Sequence, residues 1–246
     1  MKSRSIHTFA TPYNVGRVTQ NGRRLDMEVE GATFASWHPE QLLTGYSWDA
    51  LSAAALLHSS GQPGRILLLG LAGGTMVRIL RHLVPRARIT AVELDGKLVD
   101  IAVRHMHLDL ETVDLHIGDA YAYLRKTRKR FDVVLDDLYL SGATDVYRPA
   151  SVDRTMIMQY RRLLRDDGIV AVNMITDTPH RAVLRETREA WSREFKETAA
   201  ITAPRGYNQA LIGGERLNSA SVLETALSLF TTGADRRMWK QLRVSR

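Results

Sequence analysis

The strongest constraint on this chain lies near residue 70. Ile66-Leu67-Leu68-Leu69 is an unbroken apolar run, and Gly70-Leu71-Ala72-Gly73-Gly74-Thr75 follows it directly. Four apolar residues without alternation suit a strand buried on both faces. The glycines permit a tight turn and let a ligand approach the backbone. A helix is predicted next, with Met76, Leu80 and Leu83 on one face. Its start offers free N–H groups at a positive dipole end. Strand, glycine turn and helix in this order open a parallel α/β sheet.

The alternation continues downstream. Strands are predicted at Arg88–Val92, Val113–Ile117, Phe131–Leu135 and Ile169–Met174, with helices over Leu98–His107, 119–126, 150–165 and 179–194. Two more strand-like stretches fall within 195–213, joined by Ala203-Pro204-Arg205-Gly206. So short a connection makes a hairpin and turns the last strand antiparallel. Residues 218–230 and 235–244 read as helical. The expected fold is α/β, a Rossmann-like doubly wound sheet.

Before residue 60 the pattern differs. Residues 14–37 alternate, with Asn21-Gly22 as a hairpin signal and Glu30-Gly31 as a second turn. A small N-terminal β-meander is expected, then a helix over 45–58. Gly61-Gln62-Pro63-Gly64 breaks the chain. The predicted organisation is therefore 1–60, meander and linking helix, and 61–246, the Rossmann-like domain.

Three positions carry chemistry. The turn at Gly70–Thr75 is one. About twenty residues on, Glu93 ends the second strand, where a carboxylate suits the two hydroxyls of a ribose. Gly118-Asp119-Ala120 follows the third strand. Asp119 there can accept from an adenine amino group, cap the next helix, or do both. The turn matches neither GxGxxG nor a phosphate loop, which argues against nicotinamide and nucleoside triphosphate sites. Asp136 and Asp137 end the fourth strand, at the sheet edge where open α/β folds bind ligands.

Leu67–Gly74, Val92-Glu93-Leu94-Asp95, Gly118-Asp119-Ala120 and Phe131–Asp137 together resemble the class I S-adenosylmethionine-dependent methyltransferase fold, and more narrowly the spermidine synthase superfamily. Thr11-Pro12-Tyr13, Thr44-Gly45-Tyr46 and Asp167–Asn173 extend the likeness over roughly residues 11–215. The resemblance implies S-adenosylmethionine, or its decarboxylated form, as cofactor. Its methionine-derived part would lie over Gly70, Ala72, Gly73 and Gly74, its ribose on Glu93 beside Leu94 and Asp95, and its adenine by Asp119 and Ala120. Asp137 matches the aspartate that takes a proton from an attacking amine, with Asp136 a one-residue alternative that is also counted with the cofactor site. Tyr46 resembles the tyrosine that orients the amine, and Tyr139 lies in the neighbouring loop. Two departures stand out. Aminopropyltransferases usually carry Gly-Gly-Gly-Asp-Gly where this chain has Gly-Leu-Ala-Gly-Gly, so the acid of the turn is missing. Their Asp-Ser-x-Asp-Pro pattern is replaced by Asp137-Leu138-Tyr139-Leu140-Ser141.

The chain has no cysteine, which excludes disulfides, thiolate metal sites and a catalytic thiol. No apolar run approaches the roughly 18 residues that cross a bilayer, and the polar start Met1-Lys2-Ser3-Arg4-Ser5 has no signal core. A cytoplasmic protein without metal or membrane partner is expected. The net charge of +7 gathers at Arg125–Arg130 and in the tail from Arg236 to Arg246. Trp239 is the one aromatic among these charges, too few for a stacking platform, so these read as solvated faces and nucleic acid is not the expected partner. A homodimer is among the expectations, because the superfamily often dimerises. The leading reading is a methyltransferase acting on a small-molecule or peptide nucleophile. A polyamine aminopropyltransferase, an RNA-binding transferase and a non-catalytic scaffold stand as alternatives.

Overall fold

The computed structural model describes residues 3–142 and 146–246; Met1 and Lys2, part of the polar N-terminus, lie outside them. The chain opens with β1 (Arg4–Ala10), β2 (Val15–Asn21), β3 (Arg24–Val29) and β4 (Ala32–Trp37), an antiparallel sheet in sequential order. The turns at Gly22 and at Glu30-Gly31 fall where the hairpin signals predicted them, each with positive φ. β1 was not legible in the sequence. Of its residues only Phe9 is buried, so it lacks the alternation that reveals a strand.

Helix α1 (Ser47–Ala54) leads into β5 (Arg65–Leu69), α2 (Thr75–Leu83), β6 (Arg88–Glu93), α3 (Gly96–His105), β7 (Val113–Ile117), α4 (Ala120–Lys126) and β8 (Phe131–Asp136). Two short strands, β9 (Leu140–Ser141) and β10 (Val146–Tyr147), pair with each other. Then come α5 (Arg154–Leu163), β11 (Leu164–Ile175), α6 (Arg181–Glu194), β12 (Glu197–Thr202), β13 (Asn208–Gly214), α7 (Ser221–Ala226), α8 (Gly233–Trp239) and β14 (Arg243–Ser245). The large sheet runs β14-β12-β13-β11-β8-β5-β6-β7. Strands β11, β8, β5, β6 and β7 are mutually parallel, and β13 is antiparallel to both its neighbours, as its short connection requires.

The apolar run of β5 does what a doubly covered strand must. Ile66 and Leu68 pack on one face with α1, α2, α3 and the meander, whereas Leu67 and Leu69 pack on the other with α4, α5 and α6. The period of two splits one strand between two cores. One correction concerns the C-terminus. The helix expected over 235–244 ends at Trp239, and Arg243–Ser245 instead add an edge strand antiparallel to β12. Pairing with the free edge of β12 overrides the helical reading there. Among the described residues no helix is long and apolar enough to cross a membrane.

Sheet order reverses between β5, which is followed by β6 on one side, and β8 on the other. This is the switch point at which loops diverge and leave a crevice above the strand ends. The basic run Arg125–Arg130 leads into the opposite, N-terminal end of β8, away from that crevice.

Candidate active site

A cavity of about 620 Å³ opens at the switch point. One wall follows from the ends of β5, β6 and β7. Gly70 has φ +84°, and a Cβ there would lie 2.7 Å from the Asp137 carbonyl oxygen, so only glycine lets the two strand-end loops pass so closely. The N–H groups of Leu71 and Ala72 both donate to Glu93 Oε2 at 2.9 Å, and Asp95 N–H donates to Oε1 at 3.0 Å. Glu93 thus fixes the glycine turn while bordering the cavity, and its Oε1 retains capacity for a further donor such as a hydroxyl. Leu94, Asp119, Ala120 and Tyr121 continue this wall. Asp119 caps α4 by accepting from Ala122 N–H at 2.5 Å, one of the two roles its position allowed.

Other expected residues lie behind the wall. Asp95 borders the cavity yet is 1% exposed. Its carboxylate caps α3 through Leu98 N–H (3.1 Å) and is bonded by Asn14 Nδ2 (2.6 Å) and the Thr11 hydroxyl. It ties the segment between β1 and β2 to the large sheet. Gly73 and Gly74 are outside the cavity lining. A Cβ on Gly73 would meet Ala35 Cβ of β4 at 2.4 Å, so the meander packs directly on the turn.

The opposite wall brings together residues far apart in sequence. Asp136 and Asp137, adjacent in the chain, point apart as strand geometry demands. Asp136 is fully buried; its Oδ1 accepts from Arg148 Nη2 (2.8 Å) and Leu138 N–H (3.0 Å), and Oδ2 accepts from the Tyr160 hydroxyl. It is absent from the cavity lining, which holds Asp137. Asp137 Oδ1 accepts from Asn173 Nδ2 at 2.7 Å, and Asn173 Oδ1 in turn accepts from Asn208 Nδ2 at 3.0 Å. Burial pushes the Asp137 carboxyl above the usual range, partly opposed by the Asn173 hydrogen bond. Tyr139 donates to the Asn173 carbonyl oxygen at 2.9 Å, under the Arg148 guanidinium, and burial raises its phenol to about 12. Tyr46 closes the wall beside Trp48, with ring centroids 6.0 Å apart.

The charge of the lining is one-sided. Glu93, Asp95, Asp119, Asp137 and Asp177 border the cavity, and among the described residues no Lys, Arg or His does. In a chain of net charge +7 this is a local inversion, suited to cationic ligands. The lining suits an S-adenosyl sulfonium compound in its chemistry: the carboxylates of Glu93 and Asp119 offer acceptors, and Leu94, Leu138, Pro149 and Ala150 offer apolar surface.

The family model described as spermine/spermidine synthase domain matches residues 51–212. The chain belongs to the spermine/spermidine synthase family. Similar family proteins include the "Probable polyamine aminopropyl transferase" of Bifidobacterium longum, 32% identical over 54% of this chain and 28% of that protein. The "eEF1A lysine and N-terminal methyltransferase" of Danio rerio is 25% identical over 61% of this chain and 22% of that protein. Against these two curated relatives the match spans less than a third of their length. A crystal structure of a probable spermidine synthase from Corynebacterium glutamicum superposes with a TM-score of 0.76, at 18% identity, over 98% of this chain and 91% of that one. The relatives are named as transferases, and the shared fold is that of the synthase.

Sequence reasoning missed Trp48, Asn173, Asp177, Tyr207 and Asn208, all of which line the cavity. Asn173 had a signal. It interrupts the apolar run Ile169-Val170-Ala171-Val172 where the next residue would be expected to be apolar, and a buried amide there needs partners. For Trp48, Asp177, Tyr207 and Asn208 nothing in the sequence marked the side chain as facing a cavity.

Proposed function

We propose that this family member alkylates an amine, using an S-adenosyl sulfonium cofactor over Gly70, Glu93 and Asp119, and that the group it transfers is methyl. The observation that carries amine alkylation is the Asp137–Asn173 pair in a cavity whose charged lining, among the described residues, is all acidic. When bound, the cofactor supplies a carbon whose bond to a positively charged sulfur breaks as the amine nitrogen bonds to it. An amine arrives as an ammonium and must lose a proton to react. Asp137 accepts a hydrogen bond from the nitrogen, orients it and takes the proton at its carboxylate. Burial raises the affinity of Asp137 for that proton, and Asn173 holds the carboxylate in one rotamer. Tyr46 and Trp48 cover the approach and help exclude water.

The glycine turn supports methyl over aminopropyl transfer. The position of the missing turn acid is Gly73, where any side chain would overlap Ala35. A cofactor ending in an ammonium alone would find no turn acid to meet it. Aminopropyl transfer is the second reading, favoured by the lack of a cation in the lining to meet a cofactor carboxylate. Incubation with each cofactor form and a panel of 1,4-diaminobutane, free lysine and a peptide with a free N-terminus separates them by product mass. A methyl increment on an amine is the expected result. An aminopropyl increment supports the second reading, and no product with either form contradicts both.

A further inference from the structure

Two rims of the cavity, far apart in sequence, are joined by one exposed arginine. The Thr44-Gly45-Tyr46 segment is held from both sides. From within, Asp49 Oδ1 accepts from the Thr44 hydroxyl (2.9 Å), and its carboxylate also accepts from Thr44 N–H (3.0 Å) and Gly45 N–H (2.6 Å). From outside, Arg205 N–H donates to the Gly45 carbonyl oxygen at 2.8 Å, and Arg205 Nη1 donates to the Thr44 carbonyl oxygen at 3.2 Å. The Arg205 guanidinium also lies over the Tyr46 ring, 6.0 Å from its centroid. Gly45 has φ +84°, and a Cβ there would lie only 2.9 Å from Arg205 Cδ, so the two segments are closely packed.

Arg205 sits in the connection between β12 and β13. The next residues, Gly206, Tyr207 and Asn208, line the cavity, and Asn208 holds Asn173, which holds Asp137. The hairpin therefore grips the amine-side tyrosine through Arg205 and the carboxylate through Asn208.

We infer that Arg205 is a positioning residue that locks Tyr46 at a fixed distance from Asp137 and so sets how well an amine acceptor fits. This rests on the amine-alkylation reading. Arg205 itself is exposed, so its replacement leaves the cores intact.

The test compares wild type, R205A and R205K by hydrogen exchange and by kinetics with the amine that wild type modifies best. Exchange at residues 44–48 is expected to speed up by about fivefold or more in R205A, with residues 66–69 and 131–136 unchanged. The KM for the amine is expected to rise by about fivefold or more, while cofactor affinity stays within about twofold. R205K, which keeps a donor and a cation over Tyr46, should recover most of both effects. Exchange at 44–48 within about twofold of wild type in R205A overturns the inference. So does a parallel loss of cofactor affinity. If exchange responds as expected but wild type modifies no amine in the panel, the amine reading fails while the clamp itself stands.

Discussion

The two walls of the cavity are built in different ways. The wall of Gly70–Ala72, Glu93–Asp95 and Asp119–Tyr121 comes from neighbouring parallel strands, and its polar groups bond mainly within and between the loops after β5, β6 and β7. The wall of Tyr46, Trp48, Asp137, Tyr139, Asn173 and Asn208 draws on segments up to 162 residues apart, and its polar groups bond to one another. The first wall needs the neighbouring units of β5, β6 and β7, with Thr11 and Asn14 bonded to Asp95 behind it. The second exists only once β8, β11, β13 and the segment before α1 have assembled. A shared cofactor chemistry on the first wall is thus compatible with different acceptors on the second.

If the walls are separable in this way, mutations in them should fail differently. The largest effect on stability is expected behind the second wall. D136N leaves the Arg148 guanidinium, 10% exposed, without its ionic partner. Breaking a buried ion pair from one side costs about 3–5 kcal/mol, so thermal melting should fall by roughly 10 °C. A melt unchanged within about 2 °C would break the comparison.

A smaller, pH-dependent effect belongs to Asp49, which holds the Thr44–Tyr46 segment. Burial, opposed by hydrogen bonds from Thr44 and Gly45, raises its carboxyl from 3.8 to about 6. Between those values the folded chain binds more protons than the unfolded one, so this contribution to stability is present at low pH and is lost as pH rises through 6. At 1.36 kcal/mol per unit, wild type should lose about 3 kcal/mol relative to D49N between pH 3.5 and 7. Urea titrations of both proteins across that range measure the gap. A constant gap would show that the Asp49 carboxyl binds its proton equally in the folded and unfolded chain.

The smallest effect is expected on the first wall. E93Q exchanges one carboxylate oxygen for an amide, which cannot accept both from the turn N–H groups and from a ribose. Cofactor affinity should weaken about tenfold, worth roughly 1.4 kcal/mol, with the melting temperature of the free protein little changed. Calorimetry with S-adenosylmethionine and its decarboxylated form reads this directly. A drop in the KM-determining contacts of the amine, with cofactor affinity intact, would contradict the division between walls.

The same division explains what could be read from the sequence. Ile66–Thr75, Glu93 and Asp119 announce themselves because each function is set within a few residues of a strand end. Asp136 and Asp137 could not be told apart, because a period of two decides which faces the crevice only after the neighbours of β8 are known. Gly73 looked like a residue for cofactor approach, yet its space is filled by Ala35 from a separate sheet. Asn208 and Arg205 carry no local signal, since their roles arise from pairing across the whole chain. β14 was hidden for the same reason: three residues become a strand only because β12 offers an edge.

The most direct test of the central claim is the turnover of D137N measured in the same samples as its cofactor affinity, across pH. The account predicts affinity within about threefold of wild type and turnover lower by about 10²–10⁴-fold. In wild type, turnover should rise with pH as the raised Asp137 carboxyl ionises; in D137N that step should be lost, leaving only the rise from deprotonation of the amine itself. Turnover in D137N equal to wild type, with the same pH profile, would contradict it.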